Sequence, residues 1–87
     1  MPTVWIPSLL RPLTGGHESV RVPGSTVREL IDALEERSQG IKTRLCDGSD
    51  LRAGLAVVID GQVSRRGLSA EVNEDSEVHF IPAIGGG

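Results

Sequence analysis

Apolar residues recur along this chain first at every second position, then at a helical period, then at every second position again. Val4 and Ile6 alternate with Thr3 and Trp5, which predicts a strand with Val4 and Ile6 inward. Pro7 has no N–H for a ladder and should end or bulge it. Residues 8–14, with Pro12 among them, form a connector, and Gly15-Gly16 a turn. Residues 17–22 predict a second strand with Val20 and Val22 inward, antiparallel to the first across a wide loop. Pro23-Gly24 breaks it. Thr26 followed by Glu29 is a capping-box pair. Val27, Leu30, Ile31 and Leu34 then fall at i, i+3, i+4 and i+7, the apolar stripe of an amphipathic helix. Arg28, Glu29, Asp32, Glu35, Glu36 and Arg37 occupy its wet side and read as a solubilising surface. Gly40 is the expected stop.

Residues 41–46 are ambiguous; a short helical turn would put Ile41 and Leu45 inward. Residues 47–54 read as a polar loop. Leu55, Val57 and Ile59 alternate with Ala56 and Val58 in a clear strand. Asp60-Gly61 is a two-residue hairpin signal, more turn than site, with residues 62–66 as the short return strand. Leu68 and Val72 plug the core from an irregular crossover. Residues 73–76 (Asn-Glu-Asp-Ser) are turn chemistry. Residues 77–81 form the last strand, with Val78 and Phe80 inward and His79 and Ile81 outward, and Pro82 terminates it.

This order predicts an α+β protein, a mixed sheet of four to five strands with one main helix packed on one face. A hairpin before the helix and further strands after it make a β-grasp the simplest closure, with the last strand parallel to the first in the middle of the sheet. Residues 1–81 are then the domain. Residues 82–87 (Pro82, Ala83, Ile84, Gly85, Gly86 and Gly87) are a flexible arm leaving a rigid central strand.

Composition narrows the function. With 87 residues there is room for one small core. A formal charge of −3 argues against nucleic acid as the main partner. Arg65-Arg66 reads as a solvated strand edge. No apolar run reaches membrane-span length and no signal-peptide pattern opens the chain, so a cytoplasmic protein away from membranes is expected. Cys46 has no partner cysteine and reads as a small buried apolar residue. His17 and His79 show no ligand spacing, so no metal is expected. No nucleophile–base–acid set is visible, and the closing glycines lack the helix and lysine of a phosphate loop. An independent enzyme is therefore not expected.

The chemistry points to the glycines. They have no side chain to bury and the largest backbone entropy to lose, so they are not there for packing. Either they are slack, or the carboxylate of Gly87 is the working group; the second is the reading adopted. An arm of six residues reaches at most roughly 20 Å, enough to cross an active-site entrance. Trp5, His79 and Ile81, with Val58, would share the sheet face away from the helix. An exposed Trp beside Ile is a plausible partner anchor, although scattered apolar residues are also common on ordinary surfaces.

Two stretches carry a family resemblance. The run Val78-His79-Phe80-Ile81-Pro82-Ala83-Ile84 ending in Gly86-Gly87 resembles the ubiquitin-like sulfur carriers of the ThiS/MoaD family. The early pattern Ile6-Pro7…Leu10-Arg11-Pro12…Thr14-Gly15-Gly16 is similar to the CysO type. Gly85, where relatives often carry alanine, departs from the pattern and loosens the arm. The resemblance implies that an E1-like adenylyltransferase uses ATP to adenylate Gly87 and that a sulfur donor then leaves a thiocarboxylate. A second enzyme would take that sulfur: a PLP-dependent cysteine synthase in the cysteine pathway, or a molybdopterin synthase large subunit or a thiamine-thiazole enzyme. The carrier itself would bind no cofactor. A protein modifier that joins its glycine end to lysines uses the same adenylate, and a plain interaction module is the third reading.

Overall fold

The computed structural model describes residues 1–83. Its main sheet has five strands in the order β2-β1-β7-β5-β6, formed by β1 (Thr3–Trp5), β2 (Ser19–Arg21), β5 (Leu55–Ile59), β6 (Gln62–Ser64) and β7 (Glu77–Pro82). A small hairpin pairs β3 (Cys46–Asp47) with β4 (Asp50–Leu51). Two helices, α1 (Val27–Arg37) and α2 (Ile41–Leu45), stand between β2 and β3 in the chain. β7 lies in the middle, parallel to β1 and antiparallel to β5. This is the β-grasp closure that the element order predicts.

The core forms where α1 meets the sheet. Val27, Leu30, Ile31 and Leu34 of the helical stripe are all buried. They face Val4, Val57, Val78 and Phe80, the inward set of three strands. Fully burying each such side chain contributes about 1.5–3 kcal/mol. Leu68 and Val72 close one end of this core, and Ile41 and Leu45 of α2 another. The helix start is held as a capping pair, with one difference. Glu29 N–H donates to Thr26 Oγ1 at 3.2 Å, but the Glu29 carboxylate accepts from Ser25 N–H, one residue ahead of the cap, at 2.8 Å. Gly24 is forced by the same corner: at φ +152° a Cβ there would lie 2.9 Å from Leu30 Cδ2.

The Asp60-Gly61 turn is built as predicted. Both residues have positive φ, +50° and +85°, and Ile59 pairs with Gln62 across it. Asp60 also ties the turn to β7. Its Oδ2 accepts from Ser76 Oγ and its Oδ1 from Glu77 N–H, each at 2.9 Å.

Several boundaries differ from the sequence reading, each for a local reason. The connector before β2 is a 3-10 helix, Ser8–Thr14, because Leu10 turns back to bond Pro7 O and bury its side chain. β2 begins at Ser19 and β6 ends at Ser64, both shorter than their alternation. α1 stops at Arg37, where Ser38 N–H closes on Leu34 O at 2.7 Å; Gly40, at φ +99°, opens α2 instead of ending α1. The β3–β4 hairpin replaces part of the expected polar loop, its strands too short to show a period. β7 runs one residue further than predicted, through Pro82. Odd-numbered residues of β7 point their N–H toward β5, as the Ala83 N–H bond to Gly54 O at 2.8 Å shows. The donor that Pro82 lacks therefore faces the β1 side, where pairing ended at His79.

Candidate functional site

Strand alternation puts every second residue of the sheet on the side away from α1. Register then assembles one row across all five strands. Trp5 of β1 pairs with Ser19 on one side and His79 on the other. His79 pairs with Val58 of β5, and Val58 with Val63 of β6. Ile81 stands one step further along β7, opposite Ala56 and toward the end where the chain leaves the sheet. The four residues singled out from sequence, Trp5, Val58, His79 and Ile81, are thus brought to one face.

The centre of that face is preorganised. The Trp5 and His79 rings stack with centroids 5.5 Å apart and 3° between their planes. The indole N–H of Trp5 donates to Glu77 Oε1 at 2.9 Å, which leaves the ring orientation set from two sides. Ile81 is 37% exposed and Val63 62% exposed, so exposed aliphatic side chains lie on the β5–β6 side of the aromatic pair and one step along β7 from it. Sequence reasoning missed Val63 and Glu77. The two-residue turn at Asp60-Gly61 fixes Val63 opposite Val58 and could have revealed the first. The need of a half-buried indole for an acceptor, two residues before His79 on the same face, could have revealed the second.

Of the tail, Pro82 ends the strand and Ala83 is exposed. Ile84, Gly85, Gly86 and Gly87 lie outside the described residues. Burial pushes the Cys46 thiol up, which disfavours the reactive thiolate. The Glu35 carboxyl is held below its ordinary range by the backbone N–H groups of Lys42 and Gly40. Among the described residues no group of three or more His, Cys, Asp or Glu side chains could hold a metal ion, and no helix is long and apolar enough to cross a membrane.

The model of the ThiS family matches residues 4–87. The chain belongs to the ThiS family. Within it, the sulfur carrier protein CysO of Mycobacterium tuberculosis is 36% identical over 90 residues, 98% of this chain and 97% of that protein, and CysO of Mycobacterium bovis matches equally. Among solved structures, a chain of the Amycolatopsis orientalis BexX/CysO complex superposes with a TM-score of 0.90 at 40% identity, covering all of both chains. The crystal structure of Mycobacterium tuberculosis CysO gives 0.87 at 34% identity over 97% of this chain and all of that one. The small archaeal modifier protein 1 of Methanosarcina acetivorans shares the fold, with a TM-score of 0.79 at 20% identity over 99% and 95% of the two chains. The fold shared with these structures is, in this chain, a five-stranded mixed sheet carrying a helix.

Proposed function

We propose that this ThiS-family chain is a sulfur carrier that holds its sulfur on Gly87 and supplies it for cysteine biosynthesis. The observation that carries the reading is its similarity to the CysO sulfur carriers across nearly the whole chain, with the family match running through to Gly87. A carboxylate is a poor electrophile, so it must first gain a leaving group. An E1-like adenylyltransferase joins the Gly87 carboxylate to the α-phosphorus of ATP and releases pyrophosphate. Sulfide from a donor then attacks the acyl carbon. The C–S bond forms as the C–O bond to AMP breaks, and Gly87 is left as a thiocarboxylate. A sulfur-accepting synthase, a PLP-dependent cysteine synthase in this reading, takes the sulfur. The chain is a protein co-substrate in these steps and not their catalyst.

Its own residues bind and present. The held Trp5–His79 pair with Val58 and Ile81 docks the partner enzyme, and β7, still paired with β5 at Pro82, fixes the point from which the arm leaves. Pro82 stiffens the base of the arm. Side chains at Gly86 or Gly87 would widen it and crowd the carbonyl under attack. The BexX/CysO complex, a CysO bound to another protein, supports a carrier that works while docked. Gly87→Ala tests the reading: the variant should fold normally yet lose pyrophosphate release with its adenylyltransferase. Release at the wild-type rate would refute it.

A further inference from the structure

Lys42 is the only lysine among the nine basic residues of this chain. The rest are arginines, whose guanidinium groups stay protonated and do not attack acyl carbon. Lys42 is therefore the one side-chain amine that could accept an activated carboxyl group. Its Nζ lies 2.6 Å from Asp32 Oδ1, across the junction of α1 and α2. The Lys42 side chain is 47% exposed, so reagents can reach it. Its backbone is fixed as well: the N–H groups of Lys42 and Gly40 donate to the Glu35 carboxylate at 2.8 and 3.1 Å. The groups facing the amine are thus Asp32 and Glu35 from α1, with the Cys46 thiol at the end of α2. The hydrogen bond to Asp32, followed by the charge of Asp32, raises the pKa of Lys42. Both helices lie on the opposite side of the sheet from the Trp5 face, so an enzyme docked on that face leaves Lys42 in solvent.

We propose that the Lys42–Asp32 pair slows acylation of the chain's one side-chain amine, so that an activated Gly87 on a second copy is spent on sulfur rather than on that amine. The inference rests on the reading of Gly87 as the activated group and deepens it: the same adenylate could otherwise join two copies. In that side reaction the neutral Lys42 amine attacks the acyl carbon of the Gly87 adenylate. A C–N bond forms, the C–O bond to AMP breaks, and the surplus proton on nitrogen passes to solvent. Only the unprotonated amine has the lone pair that this needs, and Asp32 stabilises the protonated form.

Two measurements separate this proposal from the reading beneath it. The first acetylates the folded protein with a water-soluble N-hydroxysuccinimide ester of acetate at neutral pH and follows Lys42 by peptide mass spectrometry. Asp32→Asn should react about two- to fivefold faster, the range that follows from an exposed ion pair. Added salt should move the wild type toward the variant. Equal rates would overturn the proposal. The second incubates each protein with its adenylyltransferase and ATP, without a sulfur donor. Asp32→Asn should accumulate a Gly87–Lys42 linked dimer faster than the wild type, and Asp32→Asn with Lys42→Arg should form none. A dimer yield unchanged by Asp32→Asn while pyrophosphate is released would also overturn the proposal. Absence of pyrophosphate release from the wild type would instead sink the reading of Gly87, with the acetylation rates still deciding the state of Lys42.

Discussion

The two faces of the sheet are made by the same strands from alternate residues, yet they are built to different standards. Val4, Val57, Val78 and Phe80 on the inner face lie buried against the stripe of α1. Trp5, His79, Val58 and Ile81 on the outer face are half-buried or exposed, and their order comes from one ring stack and one hydrogen bond. The inner face stabilises by area removed from water, and it tolerates little change in volume. The outer face keeps apolar area in water, at a cost in solubility, where a partner can cover it. A single strand thus gives the core one set of residues and leaves the next set half-buried or exposed on the outer face.

That division can be broken by substitution. The largest effect is expected inside. Leu30→Ala should lower the stability of the domain by about 3 kcal/mol in urea unfolding, through lost burial and a residual cavity. What remains folded should bind the adenylyltransferase as before. Trp5→Ala combined with Ile81→Ala should do the reverse. Its affinity for the adenylyltransferase should fall about thirtyfold, or ~2 kcal/mol, while unfolding stability changes by less than about 1 kcal/mol. Unaltered affinity would remove the docking role from this face. The smallest of the three is Asp60→Ala, which takes an acceptor from Ser76 and from the Glu77 N–H. It should cost about 1.5 kcal/mol of stability. It should leave affinity within about twofold, since the turn lies at the far end of β7 from the arm.

The inner face was legible in the sequence because burial imposes a period. The stripe from Val27 to Leu34 and the alternation from Leu55 to Ile59 name their own partners, and both lie where they were expected. The outer face was legible at second hand, as whatever the inner set leaves over. This is why Trp5, Val58, His79 and Ile81 were found but Val63 and Glu77 were not: Val63 becomes part of the face only through its register with Val58, and Glu77 only through its bond to the indole. The short 3-10 helix at Ser8–Thr14 and the β3–β4 hairpin escaped because neither is long enough to repeat a pattern. Asp60 was seen as a turn residue, yet its carboxylate bonds residues sixteen and seventeen positions away, a link that no local signal carries. The pairing of Lys42 with Asp32, ten residues apart across two helices, is hidden for the same reason.

The central claim is that Gly87 carries sulfur. The most direct measurement is the intact mass of the protein after incubation with ATP, its adenylyltransferase and a sulfur donor, followed by fragmentation to locate any change. Exchange of one oxygen for one sulfur, mapped to Gly87, is the result predicted here. An unchanged Gly87, with the same enzyme shown to load another carrier, would contradict the account. So would a Gly87 found in amide linkage to lysines of other proteins and never as a thiocarboxylate, an outcome that would identify a modifier instead.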